Sequence, residues 1–129
     1  MFETIIALTS SNIRKIKSVK FLKSFASFNW SSVQIEINCR PRKKMNGPFS
    51  IQYNDFTQSP KKMVRCKKTP LESIKIKGMI NNSKLEITCI FDNGITQWFE
   101  AKIEGENKNI VEIIEQQLLN IFKTTSNMN

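Results

Sequence analysis

The chain has no histidine, and only four glycines, four prolines and three cysteines among its 129 residues. Each shortage excludes something. Without histidine, the commonest general base is missing, and so is the usual activating partner of a serine or cysteine nucleophile. Cys39, Cys66 and Cys89 form no CxxC pair, and without histidine a zinc site lacks its fourth ligand. Four glycines build no glycine-rich phosphate loop, and the carboxylates Asp55, Glu72 and Glu86 show no paired spacing. Enzymatic chemistry, a cofactor and a small-molecule substrate are therefore not expected. No apolar run approaches the roughly 18 residues that a membrane-spanning helix needs. Met1–Leu8 precedes Arg14 and Lys15, the reverse of a signal peptide's order, so export is not expected. The cysteines read as buried thiols of a reducing, intracellular compartment.

Acidic residues are scarce in one half only. Residues 1–68 hold 14 Lys/Arg against Glu3, Glu36 and Asp55, a net of +11; residues 69–129 hold 6 against 8, a net of −2, which sums to the overall +9. A field built into one half points to a polyanionic partner. The hydrophobic fraction of 40% is enough for one core and argues against disorder. Nine Phe and many Ile residues favour strands.

The C-terminal half is the most regular. Leu85, Ile87, Cys89 and Phe91 alternate with Lys84, Glu86, Thr88 and Ile90, and Ile95, Phe99, Ala101 and Ile103 alternate after them, broken at Gln97. A three-residue Asp92-Asn93-Gly94 loop keeps both apolar sets on one face, pairing Phe91 with Ile95 and Ile87 with Phe99. Upstream, a two-residue Asn81-Asn82 loop pairs Ile76 with Ile87, Ile74 with Cys89 and Gly78 with Leu85; both Asn tolerate the positive φ of a type I′ turn. A helix follows, capped by Asn109, with Ile110, Ile113, Ile114, Leu118 and Ile121 inward and Val111 and Phe122 at the edge of that stripe. Phe2–Leu8, Val33–Cys39, Phe49–Tyr53 and a basic Met63–Lys68 read as further strands, with Val64 and Cys66 inward. Residues 12–29 fit a helix or a strand. One domain spans 1–123, and 124–129 form a polar tail or the start of a linker.

A bent antiparallel sheet or open barrel of six to seven strands in meander order, closed by a C-terminal amphipathic helix, resembles the pleckstrin-homology-like fold. Lys84–Phe122 carries the resemblance: strand, tight turn, strand, short polar loop, helix. The tryptophan common inside the family's last helix is absent here; Trp30 and Trp98 precede it. The resemblance implies a non-enzymatic scaffold of protein–protein interactions. It permits nuclear assemblies such as those of DNA repair, transcription and meiotic recombination, and on it the nucleus is favoured over the cytoplasm. The same family offers an alternative, a phosphoinositide- or anionic-membrane-binding adaptor. In its usual lipid-binding members the basic loop lies between the first two strands, whereas here it falls one strand later. A third reading is a purely protein-binding scaffold.

Three basic groups are candidates for polyanion or nucleic-acid contact. The first is the loop Arg40-Pro41-Arg42-Lys43-Lys44, which a nuclear import signal would also resemble. The second is Lys61, Lys62, Arg65, Lys67 and Lys68, with Arg65 and Lys67 on one face of the expected strand; Lys residues that keep an edge strand soluble would look the same. The third is Arg14, Lys15, Lys17, Lys20 and Lys23, a basic amphipathic element or simply the outer face of a core element. Trp30, Tyr53 and Trp98 are candidates for base stacking. Trp98 and Glu100, on the strand face opposite Phe99, are candidates for contact with a protein partner of a larger complex.

Overall fold

The computed structural model of the chain describes residues 1–40, 49–66 and 70–124. Strands β1 (Phe2–Leu8), β2 (Ser32–Cys39), β3 (Phe49–Tyr53), β4 (Leu71–Ile80), β5 (Ser83–Asp92) and β6 (Ile95–Gly105) make one antiparallel sheet, with helices α1 (Ser18–Ala26), α2 (Pro60–Met63) and α3 (Lys108–Phe122). The expected class holds: mainly β, six strands, an open sheet and a C-terminal helix. The strand order β1-β6-β5-β4-β2-β3 departs from a meander. β4, β5 and β6 follow one another and β2 pairs with β3, but β4 lies beside β2 and β1 returns beside β6.

Period-two alternation explains the sheet. Ile74, Ile76 and Ile80 of β4, Leu85, Ile87 and Cys89 of β5, and Phe99, Ala101 and Ile103 of β6 are all buried on one face. Burying each of the larger side chains is worth about 1.5–3 kcal/mol. The β4–β5 hairpin turns on Asn81 and Asn82 at φ 47° and 62°, with Ile76 opposite Ile87 and Ile74 opposite Cys89, as expected.

The next hairpin differs from expectation. Asp92 pairs with Ile95 across a two-residue Asn93-Gly94 turn, and Phe91 pairs with Thr96. The register then shifts, so that Ile90 meets Trp98, Cys89 meets Phe99 and Ile87 meets Ala101. Gln97 is the extra residue of a β-bulge. The bulge restores the parity that a two-residue turn would otherwise break. Thr96, next to the bulge, is held from far along the chain: its hydroxyl donates to the Arg14 carbonyl at 2.6 Å and accepts from the Ile16 N–H at 3.1 Å.

Residues 13–17 cross the end of the sheet, bridging Ile13 to Lys123 and Lys17 to Ile95. They lead into α1, which settles residues 18–26 as helix. Phe21, Leu22 and Phe25 face the core. Phe21 lies 5.3 Å from Phe91 and 5.2 Å from Phe122, and Phe99 stacks on Phe122 at 4.6 Å, ring centre to ring centre. Such aromatic pairs add about 0.5–1.5 kcal/mol each beyond their burial.

Helix α3 begins two residues earlier than its sequence suggests. Asn107, not Asn109, is the cap; its side-chain oxygen accepts from the Asn109 and Ile110 N–H groups at 3.0 and 3.3 Å. The buried stripe is Val111, Ile114, Leu118 and Phe122, while Ile113 is 58% exposed. The helix is therefore rotated toward the positions expected at its edge.

The expected strand over Met63–Lys68 is absent among the described residues. Ser59 and Pro60 start the short helix α2 instead. Cys66 is joined to Cys39 by a disulfide, with Cα atoms 5.7 Å apart, so these two are not the free thiols expected; Cys89 is the free, buried one.

Candidate polyanion-binding face

Helix α2 is built by local rules. Proline is tolerated in a first helical turn because its missing N–H has no partner there anyway. The Ser59 hydroxyl accepts from the Lys62 N–H at 3.3 Å. Met63 is fully buried and anchors the turn, which leaves Lys61, Lys62 and Arg65 exposed. These three, with Gln58 and Ser59, line a shallow cleft of about 760 Å³.

Two of the expected clusters meet through the disulfide. Cys66 follows Arg65 and Cys39 precedes Arg40, so the bond places both arginines one residue from the same covalent link. The Arg40 N–H donates to the Pro70 carbonyl at 2.8 Å, which holds the far end of the second segment there too. Arg42, Lys43, Lys44, Lys67 and Lys68 lie outside the described residues. The alternating strand that was to align Arg65 with Lys67 is replaced by a helix and a turn, so that reason for grouping them is lost.

The third cluster adjoins the second. Helix α1 packs against α2, and with its core side occupied by Phe21, Leu22 and Phe25, it leaves Lys17, Lys20 and Lys23 exposed around it. The same helix periodicity that buries the phenylalanines turns the lysines outward.

Ion pairing divides the molecule as the composition does. Lys84 pairs with Glu86 at 3.1 Å, Lys102 with Glu104 at 2.9 Å and with Glu3 at 3.8 Å, and Lys108 with Glu112 at 4.0 Å. Among the described residues, none of Arg14, Lys15, Lys17, Lys20, Lys23, Arg40, Lys61, Lys62 and Arg65 has a carboxylate within 4.0 Å. Neighbouring positive charges with no internal counter-ion attract one from outside.

The outer face of the sheet is the contrasting surface. Cross-strand neighbours alternate in sign there: Lys77, Glu86 and Lys102 in one row, Glu36 beside Lys75 in another. The hydrogen bond and charge of Glu104 raise the Lys102 pKa, and the same hydrogen bond holds the Glu104 carboxyl below its ordinary value. A surface neutralised this way offers a polyanion little.

Trp98 and Glu100 lie on this outer face, as expected, with Trp98 half-buried opposite the exposed Ile90. The stacking candidates fare differently. The Trp30 indole N–H donates to the Phe25 carbonyl at 2.8 Å, and its ring lies over Phe28 at 6.1 Å. Trp30 thus braces the α1–β2 connection. Tyr53 is half-buried at the end of β3. Among the described residues, no three His, Cys, Asp or Glu side chains converge to hold a metal ion.

Sequence reasoning missed α2 and the disulfide. The Ser59-Pro60 pair was a legible helix start. An odd cysteine count, by contrast, does not say which two pair. Comparison with protein-family models, curated proteins and solved structures finds no significant match to this chain.

Proposed function

We propose that this domain is a non-catalytic interaction module that docks a nucleic acid on its basic helical side and a protein on its outer sheet face. The observation that carries the first half is the run of unpaired cations from α1 across α2 to the disulfide. The second half rests on Trp98, Ile90 and Glu100, which combine an aromatic anchor, an apolar neighbour and a charge. The six-stranded sheet with its C-terminal helix is compatible with a pleckstrin-homology-like plan, and scaffolding is the analogy that plan supports.

The chemistry favours phosphate contacts over base reading. Lys61, Lys62 and Arg65 are exposed point charges without an aromatic ring in their cleft. Contacts of that kind position a backbone and carry no sequence information. Binding is then strong at low salt and tolerant of sequence.

Graded-salt titrations with duplex DNA, single-stranded RNA and anionic phospholipid vesicles test this reading. Tightest binding to a nucleic acid, falling steeply with salt, is expected. Tighter binding to the vesicles replaces it with the membrane-adaptor reading. Equal and weak binding to all three leaves the basic half without a polyanion role.

A further inference from the structure

The two edges of the sheet are not alike. Strand β3 is short, with five residues, and follows the basic segment that begins at Arg40. Shortness protects such an edge. Strand β1 has seven residues, Phe-Glu-Thr-Ile-Ile-Ala-Leu, with no lysine and no proline. All seven pair with β6 in unbroken register, without a bulge. On its other side, among the described residues, no backbone or side-chain group hydrogen-bonds to the strand. Phe2 is 45% exposed and Ile5 59% exposed.

We propose that a second copy of this chain covers the β1 edge, the two β1 strands pairing antiparallel about a two-fold axis at Ile5. The strand is self-complementary in that register. Ile5 meets its own copy on the outer face, and Glu3 stands opposite Ala7, so the carboxylates do not oppose each other. Phe2 stands opposite Leu8, and Thr4 opposite Ile6. Glu3 keeps its own Lys102, 3.8 Å away. All seven positions are used, and the six strands of each copy join into one continuous sheet. A two-fold contact uses the same patch on both copies and closes on itself, which ends growth at the dimer. No like charge is buried, and each paired backbone group gains about 0.5–1.5 kcal/mol. A heterologous peptide would need this same pattern without any charge opposite Glu3; the second copy supplies it by symmetry.

Light scattering across a concentration series, without reductant so that the Cys39–Cys66 bond stays intact, tests the pairing. The mass rises from 15.0 kDa toward twice that value. Ile5→Lys stays at the monomer mass throughout, and Ala7→Lys serves if that variant misfolds by circular dichroism. Ile51→Lys, on the opposite edge, dimerises like the wild type. Hydrogen exchange of residues 2–8 slows with concentration in the wild type and not in Ile5→Lys. A wild type that remains monomeric throughout, or an Ile5→Lys variant that dimerises as well as the wild type, overturns the proposal.

Discussion

Cys39 and Cys66 are 27 residues apart in the chain and joined by a disulfide. The bond ties the end of β2 to the segment after α2, and so ties Arg40 to Arg65. Closing a loop of that length is worth about 3.5 kcal/mol on the chain-entropy account. Reduction by dithiothreitol should lower stability by roughly that amount in urea titrations. It should also weaken polyanion binding, because the two basic segments then move apart. Unchanged binding after reduction, in a protein still folded, would mean the bridge does not organise the face. In a nucleus the bond would be kept as thiols; in an oxidising compartment it would persist.

Helix α3 separates two adjacent isoleucines. Ile114 is 2% exposed and Ile113 is 58% exposed. Ile114→Asp buries an unpaired carboxylate and should cost about 4 kcal/mol or more, enough to unfold a marginal domain. Ile113→Asp should change stability by no more than about 0.5 kcal/mol. Urea midpoints of the two variants check the helix rotation; equal losses would contradict it.

Gly78 is where β4 meets the α1–β2 connection. A Cβ there would collide with the Ser32 carbonyl oxygen and come within 2.8 Å of the Trp30 ring. Gly78→Ala should therefore destabilise by about 1–3 kcal/mol and shift the tryptophan fluorescence, since Trp30 must move. A variant that melts with the wild type would show that the connection is loose.

Cys89 is buried, and desolvation pushes its thiol well above the ordinary value of 9.0. The proton is thus held more tightly in the folded state than in the unfolded one. Its contribution to stability is complete below pH 9.0 and declines above it, as the unfolded thiol ionises first. A disulfide-exchange reagent at neutral pH should find no fast-reacting thiol in the oxidised native protein and one after unfolding. Rapid native labelling would place Cys89 at the surface.

The β4–β5 hairpin was legible because two positive-φ asparagines and two alternating strands agree on one register. The β5–β6 register was not. Gln97 marked the irregularity, but the neighbouring Thr96 is bonded to Arg14 and Ile16, some eighty positions away in sequence. Parity arguments see only neighbours along the chain. The C-terminal helix was legible as an element, but two asparagines, Asn107 and Asn109, compete for its cap, and its rotation depends on β1 and β6, against which it packs. Of the candidate site, the sequence shows which residues are basic. It does not show that α1 packs on α2, or that Cys39 pairs with Cys66 and not with Cys89.

The salt dependence of duplex-DNA binding by wild type and by Lys61→Glu/Lys62→Glu/Arg65→Glu tests the basic face most directly. These residues are exposed and unpaired among the described residues, so the variant should fold. If they and Arg40 each contact a phosphate, the wild-type slope of log K against log salt is about −4, and the variant loses about 3 units of it together with at least tenfold in affinity at low salt. A folded variant with the wild-type slope and affinity would contradict a docking face at α2 and the disulfide.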